Sequence, residues 1–258
     1  MEIGKWIGVF IFGAAWGSFF YTLALRYING QFSEEGVRAL LTPSSCPYCK
    51  NRIHPHMLIP LLGFVIGGGR CSECRERIPI AYPLMEALYG TLCVVLAMKQ
   101  GINAYSVFIF LICGLSITLA LVDIKRMIIP NPLMLAFLLL VIYPTVLNMM
   151  NSSVSEHLLG FVLMAAFFLI VLLFFPGSFG GGDIKMAAVI GLLTGFEQSI
   201  VVLEAALITG SVIRVVYAFK SGRGLRIKLP FAPFLAIGLI VSLLYGRDII
   251  LFYYRIVY

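Results

Sequence analysis

Asp123 and Asp183 are the residues of this sequence whose type and spacing point most directly to chemistry. The 258 residues hold only three aspartates, and two of them open the same tripeptide, DIK, at 123–125 and 183–185. Two carboxyl groups a few ångströms apart can share one proton, since two like charges at that distance do not both ionise cheaply. The ionised partner then activates water and the protonated one polarises a carbonyl. The sequence therefore predicts a catalytic carboxyl pair.

Glycines surround Asp183 in the stretch GSFGGGDIK, residues 177–185. Glycine permits backbone conformations and close approaches that other residues do not, whereas a plain helix cap needs at most one. A capping role for Asp183, on a helix beginning at Ile184, stays open as an alternative. For Asp123 the alternative is a surface carboxylate at a helix end, offset by Lys125 and Arg126. A phosphate-binding loop is disfavoured because the GK[ST] ending is absent.

Four cysteines form a second constellation, in a polar stretch of residues 26–78. Cys46 and Cys49 make one C-x2-C pair, and Cys71 and Cys74 make another after an intervening 21 residues. This spacing is close to that of zinc ribbons, in which two such turns complete a tetrahedron of thiolates. The alternative is a set of reduced or redox-active thiols.

Four further histidine and cysteine residues receive simpler interpretations. His54 and His56 are the nearest substitute metal ligands, although their flanking prolines favour an ordinary loop role. Cys93 and Cys113 are expected to be small buried hydrophobic residues.

The elements that position these residues are apolar helices. A composition of 60% hydrophobic and 12% charged residues cannot be buried in a water-soluble core of this size. We therefore expect an all-α polytopic membrane protein with about eight transmembrane helices and a small cytosolic zinc-ribbon-like loop domain. The predicted spans are Trp6–Leu25, Ile80–Met98, Tyr105–Val122, Pro132–Leu147, Leu158–Phe175, Ile184–Leu193, Ile200–Phe219 and Phe231–Leu244.

The distribution of lysine and arginine predicts the orientation of these spans. With the N-terminus outside, most of the 19 basic residues fall on the inner side. The sixth span is short enough to be a re-entrant hairpin, but removing that crossing places Lys220, Arg223, Arg226 and Lys228 outside. With it retained, Asp123 and Asp183 both lie near the inner membrane boundary. The net charge of +7 suits an anionic inner leaflet and requires no nucleic-acid partner.

Several segments in order along the chain carry a family resemblance. They are GSFF (17–20), the double C-x2-C loop with IPLLG between the pairs, YPLMEALYG (82–90), DIKRMIIPNPL (123–133), FGGGDIKMAAVIG (179–191) and LPFAPFLAIG (229–238). GGGD resembles the GxGD signature of intramembrane aspartyl proteases, and the ordered set resembles the type IV prepilin leader peptidases.

The resemblance implies an activity and a set of site residues. It implies Asp123 and Asp183 as the catalytic pair, supported by Gly180, Gly182 and Lys185. It implies a pilin, pseudopilin or competence-pilin precursor as partner, cut at the cytosolic face of the bacterial inner membrane. It also implies methylation of the new N-terminal amine with S-adenosylmethionine as methyl donor.

Two more residues are candidates for binding substrate or cofactor. They are Glu86, one turn beyond Pro83 in the second span, and Lys125. For Glu86, the alternative role is to satisfy the hydrogen-bonding groups of a neighbouring element of the protein.

Three positions depart from the family pattern. Tyr21 stands where members often have asparagine, Ala81 where they often have arginine, and Ala232 where they often have glycine. None is one of the two aspartates, so the expected peptidase activity is unaffected. Tyr21 and Ala81 lie near the loop linked to methylation and bear on that activity.

The resulting domain division is a first transmembrane helix (1–25), a cytosolic loop domain (26–78) and a transmembrane peptidase core (79–258).

Two other functions remain compatible with the sequence. An ion-coupled transporter could use the intramembrane carboxylates as a relay, and a membrane-anchored zinc scaffold would leave the aspartates without a role.

Overall fold

Helices account for most of the described residues in a computed structural model that describes residues 2–151, 153–175, 177, 179–221 and 229–257. Seven of the helices in the described part are long and apolar enough to cross a membrane. The chain is a multi-pass membrane protein, as the composition predicts. The seven are α1 (Glu2–Ile28), α4 (Ala81–Gln100), α5 (Ala104–Arg126), α6 (Asn131–Asn151), α7 (Val154–Phe174), α8 (Gly181–Ser221) and α9 (Ala232–Val257).

The loop between α1 and α4 contains only short elements. These are α2 (Gln31–Glu35), α3 (Leu62–Ile66) and two 3-10 turns (Gly36–Leu40 and Pro55–Leu58). The extended pairings in the described residues are two isolated β-bridges, one at each cysteine pair. The chain divides into two units, Met1–Ser106 and Val107–Tyr258.

The range given for α8 contains two helices that meet at a kink, and they correspond to the sixth and seventh predicted spans. With these two helices counted separately, the seven long elements match the eight predicted spans. Gly195 interrupts α8 with φ 76° and ψ 178°, between the two predicted segments. His157 of α7 donates from Nδ1 to the Leu192 carbonyl over 2.9 Å. Because the irregular backbone at Gly195 breaks the regular helical pattern, this side chain supplies a partner for a carbonyl near the break.

Close glycine contacts hold the helices of each unit together. In the first unit, a Cβ added at Gly17 of α1 would lie 2.7 Å from Tyr89 Cβ of α4. In the second unit, one added at Gly160 of α7 would lie 2.5 Å from the Gly191 carbonyl oxygen of α8. Small residues allow this approach of backbones, which is how membrane helices pack in the absence of a hydrophobic drive between them.

Three of the basic residues used to predict the orientation, Arg223, Arg226 and Lys228, lie outside the described residues.

Candidate active site

Asp123 lies in the last turn of α5 rather than beyond it. The Met127 N–H donates to the Asp123 carbonyl oxygen over 2.8 Å, and Met127 has φ 53°. This is the left-handed ending in which one bond from the residue after the helix satisfies a carbonyl of the last turn. Pro130 follows three residues later and cannot continue the helix. The local sequence therefore fixes where the Asp123 side chain leaves α5.

The Asp123 carboxylate contacts the first residue of α9. Its Oδ2 accepts a hydrogen bond of 3.1 Å from the Ala232 N–H, and the side chain is 5% exposed. A carboxylate at a helix C-terminus opposes the helix dipole, but one at a helix N-terminus is stabilised by it. The α9 N-terminus thus offsets the unfavourable place of Asp123 on α5.

Asp183 is the third residue of α8, because the helix begins at Gly181, three residues before the predicted start at Ile184. Its Oδ2 accepts from the Gly180 N–H over 2.9 Å, so the carboxylate reaches back to cap the helix from within. Its Oδ1 is buried and has no hydrogen-bond partner among the described residues. The capping role considered for Asp183 therefore occupies one oxygen and leaves the other available.

The two aspartates line one cavity of about 1070 Å³ in the second unit, here called the aspartate cavity. Three aromatic rings pack edge to face beside them: Phe179 and Phe231 have centroids 4.7 Å apart, and Phe168 lies 4.9 Å from Phe179. These rings bring the segments FGGGDIK and LPFAPF together. The arrangement offers two carboxyl groups next to an apolar wall.

Gly182 sets the separation between the two aspartate-bearing segments. A Cβ added there would lie 2.8 Å from Cβ of Ile129, in the loop that follows Asp123. A Cβ at Gly180 would make only an ordinary contact, 3.5 Å from Asp183 Oδ2, and one at Gly181 would meet nothing within 4 Å. The close approach that the glycine-rich stretch predicts is thus required at Gly182.

The two lysines of the DIK repeats have different surroundings. Lys185 is exposed and donates from Nζ to Asn131 Oδ1 over 3.3 Å, linking α8 to the start of α6. Lys125 is exposed on α5. Neither lines the aspartate cavity.

In the first unit, the four cysteines of the loop meet. Their sulfur atoms all lie within 4.8 Å of one another, with Cys46 and Cys74 at 3.8 Å and Cys49 and Cys71 at 4.0 Å. Zinc–sulfur bonds of 2.3 Å in a tetrahedron separate the sulfurs by about 3.8 Å. The cluster therefore fits a four-thiolate zinc site, and none of these cysteines forms a disulfide.

The two cysteine turns repeat the same backbone geometry. In the first, the Lys50 N–H donates to the Cys46 carbonyl over 2.9 Å, and Lys50 has φ 61°. In the second, the Arg75 N–H donates to the Cys71 carbonyl over 3.1 Å, and Arg75 has φ 62°. Each turn is closed by a β-bridge, Ser45 with Arg52 or Arg70 with Arg77. Two equivalent knuckles thus direct four thiols to one point.

Ionisation of the cluster is shared unequally among its thiols. Backbone N–H groups of Cys74 and Glu73 lower the pKa of Cys71 to about 7. The Glu76 N–H acts to lower the pKa of Cys74, but desolvation and the neighbouring thiols raise that pKa to about 12. One thiolate therefore forms readily and is stabilised by the other thiols.

The two candidate histidine ligands lie outside the cysteine cluster. The exposed His54 contacts Glu73, with Nε2 and Oε1 3.4 Å apart, and its ring stacks on that of His56 at 5.6 Å between centroids. Of the remaining cysteines, Cys93 and Cys113 are buried in α4 and α5, as expected.

Glu86 contacts the loop from α4. Its Oε2 accepts a hydrogen bond of 2.7 Å from the N–H of Leu61, a residue with φ 60°. The carboxylate thus satisfies a neighbouring element, which was one of its two predicted roles. It also lines a cavity of about 250 Å³ in the first unit, here called the loop cavity. Tyr82 lines the same cavity, and its ring packs on that of Tyr21 at 5.0 Å.

The chain resembles known proteins in both of the regions that hold these sites. The model of the Bacterial Peptidase A24 N-terminal domain matches residues 11–100, and that of the Type IV leader peptidase family matches residues 109–215. A Bacillus subtilis protein named prepilin leader peptidase/N-methyltransferase is 34% identical over 96% of this chain and 97% of its own length. The chain belongs to the type IV leader peptidase family.

More distant relatives of the same name extend the likeness. The Legionella pneumophila protein is 28% identical over 83% of this chain and 76% of its own length. The Dichelobacter nodosus protein is 30% identical over 81% and 74%, respectively. No solved structure matches this chain significantly. The two family segments contain the cysteine cluster and the aspartate pair, respectively.

Some residues that contact the aspartates or line their cavity were not predicted as site residues. Ala232 was noted only as a departure from the family pattern, because its contact with Asp123 uses the backbone N–H and not the side chain. Arg214 of α8 lines the aspartate cavity, and its place in the predicted seventh span gave no indication of which cavity it would meet. The rings of Phe179 and Phe231 could have been singled out only as parts of segments shared with the family.

Proposed function

We propose that this chain is a membrane aspartic endopeptidase that removes the short basic leader from type IV prepilin-like precursors. We further propose that it methylates the new N-terminal residue with S-adenosylmethionine. The observation that carries the proposal is the aspartate cavity, which Asp123 of α5 and Asp183 of α8 line together beside an aromatic wall. The family membership and the names of the relatives support both activities.

The proposed peptidase mechanism uses Asp123 and Asp183 as a pair with one shared proton. The ionised carboxylate removes a proton from water as that water attacks the scissile carbonyl, and the protonated one donates to the carbonyl oxygen. The Ala232 and Gly180 N–H groups orient one oxygen of each carboxylate, which fixes the pair before substrate arrives. Apolar surface at the cavity suits a precursor whose leader is followed by an apolar helix.

In this proposal, three of the remaining residues of the predicted site hold the aspartate pair in place, and Lys125 contacts substrate. Gly180 supplies an N–H to Asp183, Gly182 allows the close approach to Ile129, and Lys185 ties α8 to α6 through Asn131. Lys125, exposed on the α5 turn that also carries Asp123, is proposed to contact substrate outside the cavity.

We propose that Cys46, Cys49, Cys71 and Cys74 bind a structural zinc ion. The sulfur separations and the two matching knuckles support this assignment. A zinc ion with four protein ligands has no open position, so its role would be to hold the loop in shape. The loop domain would then form a folded platform for methylation, with 1–25 and 79–258 as the flanking membrane parts.

The proposed location is the bacterial inner membrane, with the aspartate cavity and the cysteine loop on the cytoplasmic side. The excess of lysine and arginine in the predicted inner loops supports this orientation. A leader rich in basic residues stays on that side, so cleavage falls at the membrane boundary.

Incubation of the purified protein with a prepilin and a methyl-labelled donor tests both activities together. We expect a shortened pilin that carries label from the parent protein. Asp123→Asn and Asp183→Asn should give neither product, because methylation requires the newly exposed amine. Nothing in the described structure or among the relatives favours the transporter alternative.

A further inference from the structure

Glu86 is a buried carboxylate that the peptidase mechanism does not use. It lies on α4, its exposed fraction is 9%, and it lines the loop cavity. No lysine, arginine or histidine among the described residues forms an ion pair with it. An ionised carboxylate removed from water is costly unless a partner compensates it. A ligand carrying positive charge would provide that compensation.

The hydrogen bond from Leu61 accounts for only part of this carboxylate. It engages Oε2 at 2.7 Å, whereas an ionised carboxylate has two oxygens and about four lone-pair sites. A glutamine would satisfy Leu61 equally well through its carbonyl oxygen. The hydrogen bond therefore explains an acceptor at position 86, and it does not explain a charge there.

The rest of the loop cavity offers polar groups of both charges. Its walls combine hydroxyl groups of Ser18 and Thr22 on α1 with the ring of Tyr82 and the cysteine turns. They also include four basic residues, Arg26, Lys50, Arg52 and Arg77, and the acidic Glu73 and Glu76, so the lining suits a ligand that carries a carboxylate as well as a cationic group, as S-adenosylmethionine does. An aromatic ring beside a carboxylate is a favourable setting for a sulfonium or ammonium group, through attraction to the ring face as well as to the charge. The volume of about 250 Å³ lies just below the range of small-molecule sites, which begins at about 300 Å³.

We infer that Glu86 is the anionic residue that binds a cationic reactant of methyl transfer in the loop cavity. This inference rests on the proposed methyltransferase function. Methyl transfer brings together two cations, the sulfonium of the donor and the α-ammonium of the cleaved pilin. The amine loses one proton to solvent and forms a C–N bond to the methyl carbon, while the S–CH3 bond breaks and its electron pair stays on sulfur. A buried carboxylate offsets the combined positive charge of the reactants.

Glu86→Gln isolates the charge from the hydrogen bond, because the amide still accepts from Leu61. A pilin that is already cleaved serves as methyl acceptor, so that methyl transfer is read independently of the peptidase. Glu34→Gln, an exposed position of the same unit that does not line the cavity, is the matched control. Zinc content and thermal unfolding of each variant report whether the loop stays folded.

Two measurements distinguish which cation Glu86 binds. Equilibrium binding is measured for S-adenosylmethionine, for the amine analogue sinefungin, which is also cationic, and for S-adenosylhomocysteine, which lacks the sulfonium charge. If Glu86 faces the donor, Glu86→Gln weakens the first two by roughly tenfold or more and the third by less than about twofold. If it faces the pilin amine, all three affinities hold and the KM for cleaved pilin rises roughly tenfold instead. Either result supports the inference.

Other outcomes overturn it. If the Glu86→Gln protein matches the parent in donor affinity and in KM for cleaved pilin, the charge of Glu86 has no role in binding either cation. Glu86→Ala then tests whether the hydrogen bond to Leu61 is the role that remains. If Glu86→Ala alone loses zinc or unfolds early, Glu86 only anchors Leu61. If the parent itself neither binds donor nor transfers label, the methyltransferase proposal fails and this inference fails with it.

Discussion

The backbone N–H of Ala232 donates a hydrogen bond to Oδ2 of Asp123 over 3.1 Å, across 109 positions of sequence. Ala232 is the first residue of α9, so the carboxylate sits at a helix N-terminus. The start of α9 thus orients Asp123, although α9 carries neither of the two aspartates. Because the contact uses the backbone, alanine and glycine can both provide it.

Removing that N–H should impair cleavage without removing the aspartate. Ala232→Pro lacks the donor, and proline is tolerated at the first position of a helix. A hydrogen bond to a charged group contributes about 1.5–3 kcal/mol, so we expect kcat/KM for prepilin cleavage to fall roughly 10- to 100-fold. Ala232→Gly keeps the donor and should stay within about twofold of the parent, close to the precision of such assays. Equal loss in both variants would show that the side chain matters instead.

Gly182 should be far less tolerant of alanine than its neighbour Gly181. Alanine at 182 brings a methyl group to 2.8 Å from Ile129 Cβ, whereas alanine at 181 meets nothing within 4 Å. The clash forces the start of α8 away from the loop after Asp123 and disturbs the spacing of the carboxyl groups. We expect roughly a tenfold or greater loss of cleavage for Gly182→Ala, since overpacking costs about 1–3 kcal/mol. Comparable activities of the two variants would contradict this account of the glycine-rich stretch.

Each cysteine of the cluster should be needed for bound zinc. Cys46→Ser or Cys71→Ser leaves three thiolate ligands, so the zinc content measured by mass spectrometry should fall well below one ion per chain. The thermal unfolding temperature of the loop-bearing protein should fall with it. Cys93→Ser is the control, because Cys93 is buried in α4 outside the cluster. Full zinc occupancy in the Cys46 and Cys71 variants would rule out the four-thiolate site.

The helices were predictable because long apolar runs have few other ways to satisfy their backbone. The break between the sixth and seventh predicted spans was placed correctly near Gly195, where the backbone leaves helical geometry and the chain kinks between two helices. Hydropathy alone cannot tell such an interruption from a loop. The start of α8 was missed by three residues because a carboxylate can cap a helix from its third position as well as from the position before it.

The candidate site was predictable as far as side chains and spacing define it. Counting basic residues placed Asp123 and Asp183 on one membrane side, and the C-x2-C spacing paired the cysteines. The residue type does not reveal a backbone N–H donor such as that of Ala232. The contact of Glu86 with Leu61 joins positions 25 apart through tertiary packing. Such partners become visible only when the elements are assembled.

The most direct test of the carboxyl pair compares cleavage by the parent, Asp123→Asn, Asp183→Asn and the double variant on one prepilin. When two residues act as a unit, the effects of their substitutions on kcat/KM are strongly non-additive. We therefore expect each single variant to lose roughly a thousandfold or more in kcat/KM, and the double variant to be no slower than either one. A single variant that keeps near-parental cleavage, or losses that multiply in the double variant, would contradict the shared-proton pair.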